Sequence, residues 1–185
     1  MSSQLAVGTL RERVLANAAL LSSESSHEQR QLLDRIADTL AEDVGDTCCI
    51  ALLEHDRLNP VALGHRDKAA RRLLTSLVRL PLGMSAVPAA TIVMVTQRPM
   101  RTDAMPLPVM LSMFPRLAPY VRRYPIESML SLPLRGEPKA VGAMGFVRHE
   151  KDNPYTAEDQ DFLMELADAI AAGLQRPAKI VTPRQ

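Results

Sequence analysis

Apolar positions recur every three or four residues near both ends of the chain, and in short runs or alternation between them. Leu10, Val14, Asn17 and Leu21 stand at near-heptad spacing with Arg11, Glu12 and Arg13 between them, which predicts an amphipathic helix over about 5–21. The polar stretch "SSESSH" interrupts it. Ser25 followed three places on by Glu28 has the form of a capping box. Leu33, Ile36, Ala37, Leu40 and Val44 then share one face of a second helix, which Gly45 stops.

The compact run "DTCCIALLEHD" predicts a strand and "LNPVALGH" a second, with a hairpin at their junction "HDRLN". Helical spacing returns from Asp67 to Leu80 through Ala70, Leu73, Leu74, Leu77 and Val78. Between Pro81 and Pro138 the chain changes character and holds ten of its fourteen prolines. Here "ATIVMVTQ" fits a strand or a short helix equally well, and "LPVMLSMFPRLAPYVRRYP" reads as helical turns repeatedly stopped by proline. This segment is too apolar for a disordered linker.

Two apolar arms, "SMLSLPL" and "AVGAMGFV", then form a second hairpin. The second arm has little bulk at Ala140, Gly142, Ala143 and Gly145, which suits either close helix packing or the floor of a cavity. With a period of two these residues occupy both faces, so both readings stand. A last helix follows in "NPYTAEDQDFLMELADAIAAGL": Thr156 and Asp159 form its capping box, Phe162, Leu163, Leu166, Ala169, Ile170 and Leu174 its stripe, and Pro177 its end. The hairpins predict an α+β fold, a central antiparallel sheet with the N- and C-terminal helices on one face. The Pro/Met-rich segment covers the other face and encloses a space.

Composition narrows the function. At 185 residues with 46% apolar and 23% charged positions, the chain reads as one globular domain with helical extensions. Aromatic residues are only 3%, so the core is expected to be aliphatic, with ten methionines as adaptable filler. A net charge of +1 gives no sign of nucleic-acid or membrane-surface binding. The only cysteines, Cys48 and Cys49, are adjacent in a strand and point to opposite faces, so they read as reduced thiols of a cytoplasmic protein. The N-terminus lacks a signal-peptide pattern, and the strongest apolar run, "AATIVMV", is too short to span a bilayer. No GxSxG, HExxH, P-loop or strand–helix GxGxxG motif occurs.

The stretch from about His27 to Leu174 resembles a GAF domain, a small-molecule sensory module. The resemblance is carried by "SLPLRGEPKAVGAMGFV" followed by "PYTAEDQDFLMELADAIAAGL", and by "VTQRPMRTDAM" ahead of the covering segment. It implies a six-stranded or similar antiparallel sheet with a pocket beneath that segment. The family's subtype signatures are missing: there is no "NKxFDE"-like motif of cyclic-nucleotide binders and no cysteine in the covering segment for a bilin. The loops over the pocket also lack the cysteines of members that reduce free methionine sulfoxide. No catalytic residue, no metal and no enzymatic activity are therefore expected, and the cofactor is unknown.

The candidate ligand-binding residues are Met110, Phe114, Tyr120, Tyr124, Met129, Ser131, Met144 and Phe146. Methionines, with Met105 and Met113 beside those above, either line an adaptable pocket or fill a core. The rings of the cover either meet a ligand or anchor the cover to the sheet. His55, His65 and His149 stand at or near strand ends, where surface histidines are common, and no paired spacing with Cys or Asp supports a metal or haem. "RHEKD" at 148–152 reads as a solvated loop. Arg71, Arg72, Arg122 and Arg123 either meet an anion or form a solvated face. The cysteines either sense oxidants or pack as small apolar groups.

The expected organisation is an N-terminal amphipathic helix at 1–24 serving dimerisation or signalling, a GAF-like domain at 25–176 and a flexible tail or linker at 177–185. The expected role is a non-catalytic regulatory module. It binds an unknown small molecule, forms a homodimer through its helices and signals to a fused or separate kinase, cyclase or transcription-factor domain. The alternatives are a ligand-free scaffold for dimerisation or docking, and a redox enzyme dependent on a reactive cysteine.

Overall fold

The computed structural model describes residues 2–78, 82–83, 88–103 and 105–175. The proposed tail at 177–185 and the Arg79–Leu80 end of the third helix lie outside the described residues. Helix α1 (Ser2–Leu20) is followed by α2 (Ser26–Asp43), which opens with the reciprocal Ser25–Glu28 capping box and ends at the C-cap Val44, one residue before Gly45. Strands β1 (Thr47–Glu54) and β2 (Arg57–His65) form the first hairpin. His55 and Asp56 both take positive φ, 49° and 57°, the two-residue turn whose twist matches that of the strands.

After α3 (Lys68–Val78) comes a two-residue strand β3 (Leu82–Gly83), then α4 (Pro88–Thr96), which settles the ambiguous "ATIVMVTQ" as a helix. A short strand β4 (Met100–Asp103) precedes the cover, which consists of α5 (Leu107–Met113), a 3-10 turn at Pro115–Leu117 and α6 (Ala118–Arg123). Each of these three pieces starts with Pro in its first turn, as the proline spacing implied. Strands β5 (Ser128–Leu134) and β6 (Gly142–Arg148) form the second hairpin, and α7 (Ala157–Gln175) closes the fold. Thr156 and Asp159 cap it reciprocally, at 3.1 and 2.9 Å.

The sheet is antiparallel with strand order β3-β2-β1-β6-β5-β4. The two strands absent from the sequence reading, β3 and β4, are its short edges. Helices α2 and α7 lie on one face and α1 packs across both of them. At Gly64 the backbone of α2 comes so close to β2 that a Cβ would collide with Ala37. Alternation along the strands separates two interiors. Cys48 and Ile50 of β1, Leu130, Leu132 and Leu134 of β5, and Met144 and Phe146 of β6 join the helix-side core, while Cys49, Met129 and Ala143 face the other way.

Two expectations change. The near-heptad stripe of α1 is used within the chain: Leu10, Val14 and Leu21 are buried against the other helices, with Ala18 rather than Asn17 completing the buried set. Among the residues whose side chains are described, that stripe is taken up within the chain. The stretch at 148–152 is not simply solvated either. Arg148 is almost buried and donates to the Val44 carbonyl at 2.9 Å, to the Pro154 carbonyl at 3.0 Å and to Asp159 at 3.1 Å. Its guanidinium also lies 4.1 Å from the centre of the Tyr155 ring, tying the end of α2 to the start of α7. No helix among the described residues is long and apolar enough to cross a membrane.

Candidate functional site

The face of the sheet opposite α2 and α7 does not close on its cover. A cavity of about 500 Å³ remains between them. Its floor is made by Cys49 and Ala51 of β1, Leu58, Pro60 and Leu63 of β2, Met129 and Ser131 of β5, and Ala143, Gly145 and Val147 of β6. Its walls and roof come from Leu74, Leu77 and Val78 of α3, Ala89 and Ala90 of α4, and Met110, Phe114, Leu117 and Tyr120 of the cover. The floor carries small residues along β6, Ala143 and Gly145. Ser131 pairs with Gly145 across β5 and β6, and a Cβ on Gly145 would meet nothing within 4 Å. The small residues of β6 thus answer to two causes: Gly145 opens onto the cavity, whereas Gly142 lies hard against the β1 backbone at Ala51.

One end of the roof is fastened by a polar cluster in otherwise apolar surroundings. Tyr120 of α6 is 2% exposed and its hydroxyl stands 2.9 Å from His65 Nε2, 2.8 Å from His149 Nε2 and 3.1 Å from Thr47 Oγ1. The outer partners of the two rings fix the direction of each bond. His65 Nδ1 accepts from the Asp67 N–H at 2.9 Å, so in the neutral ring Nε2 carries the hydrogen and donates to Tyr120. His149 Nδ1 lies 2.7 Å from the Pro125 carbonyl, which only accepts, so Nδ1 carries the hydrogen and Nε2 accepts from the Tyr120 hydroxyl. Thr47 donates to the remaining lone pair. Both histidines neutral is the arrangement that satisfies every atom.

The two rings stack, with centroids 5.6 Å apart. Burial, assisted by His149, lowers the His65 pKa to about 4, against the opposing pull of Asp67 and Asp46. Burial likewise raises the Tyr120 hydroxyl above the usual phenol range. Three strand ends, those of β1, β2 and β6, are joined through a single phenol oxygen to the cover.

Seven of the eight sequence candidates border the cavity: Met110, Phe114, Tyr120, Met129 and Ser131 directly, and Met144 and Phe146 through their strand, with Tyr124 outside. Met144 and Phe146 project into the helix-side core, because alternation turns every second residue of β6 away from the cover. Tyr124 packs instead on the polar cluster, its ring 5.2 Å from that of Tyr120 and 6.0 Å from that of His65. His65 and His149, taken in the sequence for surface residues, are the partners of Tyr120. No periodicity announces them, since their meeting depends on strand register. His55 occupies the exposed hairpin turn.

Cys48 and Cys49 are free thiols. Burial raises the Cys49 thiol to about 11 and Cys48 well above its usual value, so neither is a thiolate at neutral pH. No group of three or more His, Cys, Asp or Glu that could hold a metal ion occurs among the described residues.

The sequence profile of the GAF domain family matches residues 26–175. No curated protein matches the chain. Among solved structures, the GAF domain of a phosphoenolpyruvate-protein phosphotransferase (ptsP) from Coxiella burnetii is similar at a TM-score of 0.64 and 14% identity, covering 91% of this chain and 94% of that one. The GAF domain of the Acinetobacter phosphoenolpyruvate-protein phosphotransferase gives 0.60 at 16% identity, over 90% and 92%. The type II free methionine-R-sulfoxide reductase from Thermoplasma acidophilum gives 0.55 at 17% identity, over 78% and 91%. At these identities the likeness is one of fold, and it extends to an enzyme as well as to the GAF domains of phosphotransferases.

Proposed function

Since this chain belongs to the GAF domain family, a generally regulatory and sensory fold, we propose that it is a non-catalytic sensor. A small molecule binds between sheet and cover and is read out through α1 and α7 by a fused or separate output domain. The observation that supports this most is the cavity of about 500 Å³ between sheet and cover, within the range of small-molecule sites and walled mainly by apolar side chains. Met110, Phe114, Tyr120, Met129 and Ser131 are the proposed ligand contacts; Met144 and Phe146 support the floor from behind, and Tyr124 supports Tyr120.

Connectivity supports the relay. Ligand contact with Met129 and Ser131 bears on β5, and β5 carries α7 on its other face, with α1 packed on α7. A ligand that favours one arrangement of the cover shifts the helices by its differential affinity. Two of the similar domains come from phosphotransferases, which fits a module that acts on an output partner, here a kinase, cyclase or transcription-factor domain. A scaffold without ligand would be expected to fill the space. Redox catalysis would need a thiolate, and burial keeps Cys49, the thiol facing the cavity, protonated.

Native mass spectrometry with an absorption spectrum, on gently purified protein, tests the proposal. A stoichiometric added mass, lost when Gly145→Leu fills the floor, is the expected result. Apo protein that also fails to take up the neutral fluorescent probe N-phenyl-1-naphthylamine would overturn it.

A further inference from the structure

The cavity's polar groups are unevenly distributed, and this narrows the ligand. Two of its hydroxyls, on Thr47 and Tyr120, are already committed to the His65–Tyr120–His149 cluster. A ligand that drew on them would break bonds that hold the cover down. Ser131 lies on the floor beside the open space over Gly145. Among the described residues that line the cavity there is no carboxylate and one cation, Arg116, in the 3-10 turn of the cover. Arg116 is exposed, and no ion pair or hydrogen bond engages its side chain among the described residues. The other charged pairs of the fold are made elsewhere.

The shape adds a second constraint. The floor runs across β2, β1, β6 and β5. Three inter-strand spacings of about 4.8 Å make it about 14 Å wide, longer than a compact metabolite needs. It is flanked by flexible methionines and leucines rather than by paired rings that would sandwich a flat heterocycle. A lone arginine at the edge serves one singly charged head group, and it leaves a phosphate-rich ligand without enough donors.

Resting on the sensor reading above, we propose that the ligand class is a single-headed amphipathic anion: an extended apolar chain lying along the Ala51–Ala143–Gly145–Ser131 floor, with a carboxylate at Arg116. The fold then senses a medium-length acyl carboxylate. The reading excludes cations, for which the cavity has no acidic partner among the described residues, and it ranks a neutral chain of the same length below the acid.

Displacement of bound N-phenyl-1-naphthylamine by dodecanoate and by dodecanol, at pH 7.5 and low salt, separates the possibilities. Dodecanoate is expected to displace the probe at a concentration about three- to tenfold below that of dodecanol, an advantage in keeping with a partly exposed ion pair. Arg116→Gln, at an exposed position with no partner to lose, is expected to abolish that advantage while leaving probe and dodecanol binding unchanged. Equal displacement by acid and alcohol, or an advantage that survives Arg116→Gln, would overturn the head-group assignment and leave the sensor reading standing. Failure of the probe itself to bind would overturn the cavity as a ligand site, and this inference with it.

Discussion

Turn over any strand of the central sheet and the neighbourhood changes. On the helix side, Leu130, Leu132 and Leu134 of β5 are 0% exposed and meet Ile36, Leu40, Leu163, Leu166 and Ile170 in one continuous aliphatic core. On the cover side, their neighbours Met129 and Ser131 border open volume, and the roof above them is held by a smaller apolar cluster around Leu63, Leu74, Met110 and Val121 together with four hydrogen-bonding side chains. Cys48 and Cys49 divide the same way, one into each interior. Hydrophobic packing holds one face wherever the volumes fit. The other combines smaller apolar clusters with one polar point, an arrangement that leaves space beside it and concentrates the response to a change of protonation in a few atoms.

The comparison predicts its largest contrast in truncations on β5. Leu132→Ala is expected to cost about 2–5 kcal/mol in denaturant unfolding, since a cavity in a close-packed interior relaxes little. Met129→Ala removes a side chain that already borders empty space and is expected to cost about 1 kcal/mol or less. Equal losses from the two variants would show that the cover side is packed as tightly as the helix side.

Acid supplies the next effect. His65 is 7% exposed, and burial with the neighbouring His149 lowers its pKa from 6.5 to about 4. The unfolded chain therefore takes up the proton first. The contribution of neutral His65 is complete above pH 6.5 and is lost progressively as pH falls toward 4, by about 3 kcal/mol in all. Asp34 and Asp168, whose pKa values are raised chiefly by burial, act in the opposite sense. The measurement is thus the difference in unfolding free energy between the protein and His65→Gln from pH 7.5 to 4. It is expected to shrink with acid, and hydrogen exchange of α5 and α6 is expected to rise over the same interval. A constant difference would mean that Tyr120 does not hold His65 neutral.

How far the chain announces this asymmetry depends on the kind of interaction. Period and capping are local, so the helices, both hairpins and both capping boxes were legible, down to Ser25–Glu28 and Thr156–Asp159. The short edges β3 and β4 were not, because two and four residues are too few to show a period, and "ATIVMV" is apolar on every side. The floor of small residues on β6 was visible as a question, with Met110, Phe114, Tyr120, Met129 and Ser131 among its proposed neighbours. That Met144 and Phe146 reach the cavity only through their strand is not legible, because parity along a strand is fixed only by register. The Tyr120 cluster was hidden for a stronger reason. It assembles Thr47, His65 and His149 from three strands, and only the pairing of β1 with both β2 and β6 brings them to one point.

The finest test uses two glycines three residues apart on β6. A Cβ at Gly142 would collide with the Ala51 carbonyl of the adjoining strand, whereas one at Gly145 would enter open space above the cavity floor. Gly142→Ala is expected to destabilise the fold by about 1–3 kcal/mol, since the strands must move apart to admit it. Gly145→Ala is expected to leave stability within about 0.5 kcal/mol of the parent, the loss of backbone freedom in the unfolded chain offsetting any small rearrangement. The methyl group nonetheless occupies volume that a ligand would use, so probe affinity is expected to fall two- to fivefold without loss of stability, the cost of about one methyl group's displacement. Stability and affinity that moved together in Gly145→Ala would show that the space above β6 is part of the packed interior, and the difference between the two faces would then be one of degree.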